Sequence, residues 1–117
     1  MDPTPRQPSQ RRRRATNQIV VIFWRDIPAQ VNAQVGGERH QVLMSDRFQR
    51  AIDQAKRKAK IFTADEDVTQ WRRESRPLDG DPTEAAQRVV DEIEAEYPHA
   101  RLREIILAGG HEPALSD

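Results

Sequence analysis

The run Ile19-Val20-Val21-Ile22-Phe23-Trp24 constrains this chain more than any other stretch. All six side chains are β-branched or aromatic, and an unbroken apolar run of this length suits a strand covered on both faces better than an amphipathic helix. The run ends at Arg25-Asp26. Pro28 then fixes its own φ and keeps Ile27 out of the helical region, so the chain must turn there. Ala29, Val31, Ala33 and Val35 alternate with Gln30, Asn32 and Gln34, which predicts a second strand with one wet face. Gly36-Gly37 is a hairpin signal, and Arg39–Met44 is expected to return as a third strand with His40, Val42 and Met44 on one side. The first half of the domain therefore reads as an antiparallel meander.

Helical spacing takes over after Met44. Ser45 is a residue type that can cap a first turn, and Phe48, Ile52, Ala55 and Ala59 recur at helical spacing behind it. Arg47, Arg50, Gln54, Arg57 and Lys58 fall on the other side. Thr63-Ala64-Asp65-Glu66 has the form of a capping box and predicts a short helix, with Val68 and Trp71 turned inward. Between Gln70 and Leu78 the residues are too polar to separate an edge strand from a loop, and Pro77 with Asp79-Gly80-Asp81 ends the segment. Asp81-Pro82-Thr83-Glu84 starts the strongest helix of the chain, with Asp as cap and Pro at the first helical position. Its buried stripe is expected to be Ala85, Ala86, Val89, Val90, Ile93 and Tyr97. Leu102, Ile105 and Ile106 suit a final short helix stopped by Gly109-Gly110, although Leu102, Glu104 and Ile106 also alternate as in a strand. The sum is an α+β fold: a small antiparallel sheet, a meander of three strands with a fourth edge strand left open, covered by two main helices plus short ones.

Composition closes off several kinds of chemistry. There is no Cys among 117 residues, so disulfides, thiol nucleophiles and Cys-based metal or cluster ligation are excluded. His40, His99 and His111 are the only histidines and do not pair at ligand spacing, so no metal or other cofactor is expected. No Gly-x-Ser-x-Gly elbow surrounds any serine, the two Gly-Gly pairs lack phosphate-loop spacing, and the carboxylates read as caps and solvated faces. These observations point away from an enzyme.

The formal net charge is +0, but its distribution is uneven: +4 over residues 1–18, +4 over 19–60 and −8 over 61–117. Such halves can attract one another within one domain or orient a charged partner. Residues 1–17 hold three Pro and the run Arg11-Arg12-Arg13-Arg14 with almost nothing to bury, and are expected to form a disordered basic tail. Residues 18–113 form the domain, and 114–117 are expected to be a disordered C-terminus. The apolar run ends at Trp24, short of the roughly 7–15 residues of a signal-peptide core, and no run reaches the roughly 20 residues of a membrane span. A cytoplasmic location without membrane insertion is the expectation.

The least ordinary local feature is Trp24-Arg25-Asp26-Ile27-Pro28. It is either a hairpin device with Trp24 capping the core or the rim of a binding surface, since Trp and Arg most often anchor interfaces; Trp71 and Arg72 would supply a second anchor. With the following meander, SDRFQRAIDQAKRKA, DVTQWRR and LREIILAGG, the segment VVIFWRDIPAQV resembles a small bacterial "virulence factor" domain family over residues 18–113. Trp24, Arg25, Asp26, Ile27, Pro28, Phe48, Ala51, Trp71 and Arg72 stand where the family pattern has them. A similar domain closes the larger conserved virulence factor C type proteins. The resemblance implies a bacterial, cytoplasmic, non-catalytic domain working with another protein, and supplies no catalytic residues.

The leading reading is therefore a virulence-associated interaction or accessory domain whose partner is another bacterial protein. One alternative is nucleic-acid binding through Arg11, Arg12, Arg13 and Arg14 together with Arg47, Arg50, Arg57 and Lys58. Another is an accessory subunit of a one-carbon or corrinoid methyl-transfer system, which no residue here supports.

Overall fold

A computed structural model describes residues 17–113. The expectations placed on residues 1–16, Arg11–Arg14 among them, and on 114–117 lie outside the described residues. Eight elements follow in order: β1 (Gln18–Trp24), β2 (Ile27–Val35), β3 (Glu38–Val42), α1 (Asp46–Ala59), α2 (Ala64–Val68), β4 (Trp71–Pro77), α3 (Pro82–Glu96) and α4 (His99–Leu107). The strands form one antiparallel sheet in the order β3-β2-β1-β4. The expected meander is present, and the undecided segment after Gln70 is a strand that joins β1 on its free side. The apolar run thus becomes an inner strand with a partner on each edge, while every residue of β4 except Arg76 is exposed. The fold is α+β, as the periodicity indicates.

The core lies where Ile19, Val21 and Phe23 of β1 and Val31 and Ala33 of β2 meet Phe48, Ala51, Ile52 and Ala55 of α1, Ala86, Val90 and Ile93 of α3, and Leu102 and Ile105 of α4. Two details of β2 depart from strict alternation. The register slips so that Ile22 faces Gln30 but Phe23 faces Pro28, leaving Ala29 as the extra residue of a bulge. Asn32, expected on the wet side, is buried at 1% exposure, and its Nδ2 has no hydrogen-bond partner among the described residues.

The helix starts follow the local signals with one exception. Glu84 N–H donates to Asp81 Oδ2 at 3.0 Å and Glu66 N–H to Thr63 Oγ1 at 3.2 Å, so both of these caps form. Ser45, however, does not cap α1 with its side chain. Its backbone N–H and hydroxyl both donate to the Glu94 carboxylate of α3, at 2.7 and 2.9 Å, and Arg47 Nη1 lies 2.8 Å from the same carboxylate. A charged acceptor on a neighbouring helix takes the hydroxyl that would have satisfied the first turn, because charge-assisted bonds are the stronger ones. The same arrangement explains an acid near the C-terminus of α3, where the helix dipole alone disfavours it. Burial would raise the Glu94 carboxyl, but the Ser45 bonds and the Arg47 charge outweigh it and hold the group below its ordinary range. α4 is the final helix, not a strand, and Gly110 N–H closes its end on the Ile105 carbonyl at 2.8 Å.

Candidate interaction surface

The corner between β1 and β2 is built from the inside outward. Trp24 and Ile27 are 0% exposed and Pro28 is among the fully buried side chains, so these three do not form a binding rim. Of the two readings of the Trp24 segment, the hairpin device capping the core is the one that the burial matches. A buried indole still needs an acceptor for its N–H. Trp24 Nε1 finds it in Asp67 Oδ1 at 2.9 Å, while Trp71 Nε1 donates to the other oxygen of the same carboxylate at 3.1 Å. Lys56 Nζ completes the group 2.9 Å from Asp67 Oδ1, and it lies within 5.8 Å of the Trp24 ring centroid and 5.6 Å of the Trp71 centroid. Burial would raise the Asp67 carboxyl, but hydrogen bonds from Trp71, Lys56 and Trp24 prevail and hold it below the usual carboxylate range. Asp67 therefore fixes one tryptophan inside the molecule and one at its surface.

Arg25 and Asp26 are also committed internally. Arg25 sits at φ 52, a left-handed conformation that costs a side-chain-bearing residue about 1 kcal/mol or more. It is held there by Nε to Gln70 Oε1 at 2.8 Å, Nη1 to the Gly109 carbonyl at 2.7 Å, and its own N–H to the Gln70 carbonyl at 2.9 Å. Asp26 donates its N–H to the Gly110 carbonyl and accepts from Glu112 N–H at 2.6 Å and Arg72 Nη2 at 3.3 Å. The corner is a knot that ties the hairpin to the start of β4 and to the segment after α4.

What remains open to a partner lies on the neighbouring chain. Trp71 is 37% exposed, and Val68 and Phe62 are 67% and 73% exposed at the two ends of α2. Val68 and Trp71 are thus outward, contrary to the inward expectation: α2 has only five residues, and the chain leaves it straight into β4, so helical spacing does not carry across. Arg72 is partly exposed, its guanidinium 4.3 Å from the Phe23 ring centroid and paired with Glu74 at 2.9 Å and with Asp26. Of the seven residues singled out as a surface, the structure leaves Trp71 and Arg72 accessible, Arg25 and Asp26 half-buried, and Trp24, Ile27 and Pro28 inside. Asp67, Lys56 and Gln70, which organise the group, were not singled out; an unpaired indole N–H in DVTQW is the one signal that could have pointed to Asp67.

The basic residues of α1 do not act as a single set. Arg47 is spent on Glu94 and on the Tyr97 carbonyl, at 3.1 and 3.0 Å from Nε and Nη2. Arg50, Arg57 and Lys58 are exposed, and helical spacing puts them on one side of α1. Among the described residues no group of three or more acidic or histidine side chains could hold a metal ion, and no helix is long and apolar enough to cross a membrane.

A two-layer α+β domain with an ordered hairpin corner and an exposed tryptophan beside it is the class that fold and surface define. The family model described as "Virulence factor" matches residues 22–106, so the chain belongs to the virulence factor family. No curated protein and no solved structure matches the chain.

Proposed function

We propose that this protein is a non-catalytic interaction or accessory domain that binds another protein in the cytoplasm through the surface around Trp71 and Arg72. The observation that carries the reading is Trp71 itself: an indole left 37% exposed yet held by its N–H to Asp67 at 3.1 Å. A rigid, partly exposed aromatic gives contact area with little ordering cost on binding, and arginine, here the adjacent Arg72, is with tryptophan among the residue types enriched at interface hot spots. Phe62 and Val68 extend the apolar part of the same stretch of chain.

The test is co-purification from the source cells, identification of the bound protein, and reconstitution of the pair from purified components. Trp71→Ala is expected to weaken the reconstituted pair at least tenfold while its circular dichroism remains that of the folded chain, with the thermal midpoint lowered only by the lost bond to Asp67. An affinity unchanged by Trp71→Ala overturns the assignment of the surface. Nucleic acid in place of protein on the purified chain overturns the reading as a whole.

A further inference from the structure

A second surface, sharing no residue with the Trp71 region, lies where α1 and α4 pack against each other. A cleft of about 240 Å³ opens there, lined by Arg47, Arg50, Gln54, His99 and Arg103 around Ala51, Leu102, Ile106 and Leu107. We infer that this cleft seats an acidic amphipathic segment of a partner protein, its carboxylates on Arg50 and Arg103 and an apolar side chain on the floor between Leu102 and Leu107.

Charge makes the first part of the argument. Among the described residues, no acidic side chain lines the cleft. Of the cations at the cleft, Arg47 is paired with Glu94, while Arg50, Arg103 and His99 have no ion pair among the described residues and so stay available to a ligand's carboxylates. Two free guanidinium groups on facing helices present forked donors that match carboxylates.

Shape and polarity make the second part. Ala51 and Leu102 form a buried floor, and Leu107, 61% exposed, stands at its rim. A volume of 240 Å³ falls below the roughly 300–1,000 Å³ of sites that enclose a whole small molecule, but it admits one or two side chains of a peptide laid along it. The nine residues of α4 give a wall of about 13 Å, the length of two to three turns of a docked helix.

The probe is a fluorescein-labelled, end-blocked 14-residue peptide of Glu and Leu at helical spacing, titrated with the full chain by anisotropy. Saturable micromolar binding is expected, weakened at least tenfold by Arg50→Glu with Arg103→Glu and by Leu107→Asp, and falling as salt rises. The same peptide with Lys for Glu, or with Ser for Leu, is expected not to bind. Trp71→Ala is expected to bind the probe as wild type does, so a failure of this inference is separate from a failure of the Trp71 surface. Binding that survives the double charge reversal, or that Trp71→Ala removes, overturns the proposal. Displacement of the probe by octanoate or by a short oligonucleotide at equal charge concentration also overturns it, in favour of a small amphiphile or a nucleic acid.

Discussion

Gly110 is the position where a single methyl group should do most damage. Its φ is +100°, and a Cβ built there would lie 2.6 Å from Cζ3 and 3.2 Å from Cε3 of Trp24, and 3.1 Å from Cδ of Arg25. None of these neighbours is free to retreat. Trp24 is fully buried and its indole is anchored on Asp67, while Arg25 is held by Gln70 and Gly109. For Gly110→Ala the left-handed backbone costs about 1–2 kcal/mol and overpacking a further 1–3 kcal/mol or so. A sum of about 2–5 kcal/mol is a large part of the roughly 5–15 kcal/mol that stabilises a small domain. Gly80 supplies the internal control: its φ is +79°, with nothing within 4 Å of the added Cβ. Gly80→Ala should therefore lose only the backbone part, and the restriction of the unfolded chain that accompanies any Gly→Ala change cancels between the two variants. Urea unfolding followed by circular dichroism should place the Gly110→Ala midpoint below that of Gly80→Ala by on the order of 1 M, given a slope of about 1–3 kcal/mol/M. Trp24→Phe removes the ring that the methyl would strike, so its cost and that of Gly110→Ala should add to more than the double variant loses. Equal midpoints for the two alanine variants, or strict additivity with Trp24→Phe, would refute the packing argument.

Two further predictions concern polar groups. Asp67 and Glu94 both have carboxyls lowered in the folded state, so each contributes stability that is complete above its unfolded pKa and is lost as pH falls through the folded one. Stability should be flat near neutrality and decline below about pH 4, the ordinary carboxylate range, and Asp67→Asn should flatten the acid limb while lowering the plateau; an unchanged acid limb in the Asn variant would contradict the assignment. Asn32→Val removes a buried donor that has no partner among the described residues, so it should raise the urea midpoint by an amount corresponding to about 1 kcal/mol, and a loss of stability would show that Nδ2 is satisfied after all.

The elements readable in advance are those whose causes are local. The β-branched and aromatic run Ile19–Trp24 favours an inner strand over a helix, and Asp81-Pro82 and Thr63 carry their helix starts within one turn. β4 was not readable because WRRESRP has no apolar alternation; it is a strand through its partner β1, whose hydrogen-bonding edge it completes. The same limit governs the surface. Trp24-Arg25 and Trp71-Arg72 look alike as dipeptides and occupy opposite environments, since they are Cα neighbours across β1 and β4 and only one of them lies beneath the knot made with Gly109 and Gly110. Asp67 reads as one of three solvated acids until the fold brings a tryptophan to it from 43 positions away. Ser45 is the converse case, a good local cap overruled by a glutamate on another helix.

The order of the strands in the sheet also sets an order in time. β1, β2 and β3 are contiguous and joined by tight turns, so they can pair as soon as they are synthesised, on the microsecond scale of hairpins. β4 must wait until α1 and α2 have been made, and its docking closes a much longer loop. Until then the outer edge of β1, the most apolar strand in the chain, is an unpaired ladder. The late arrival of this seven-residue strand, four of its residues charged and all but Arg76 exposed, is what converts that edge from a template for aggregation into the interior of a sheet. Variants that weaken β4, such as proline at Arg73, should therefore betray themselves first by poor recovery during refolding and only second by a lower equilibrium stability.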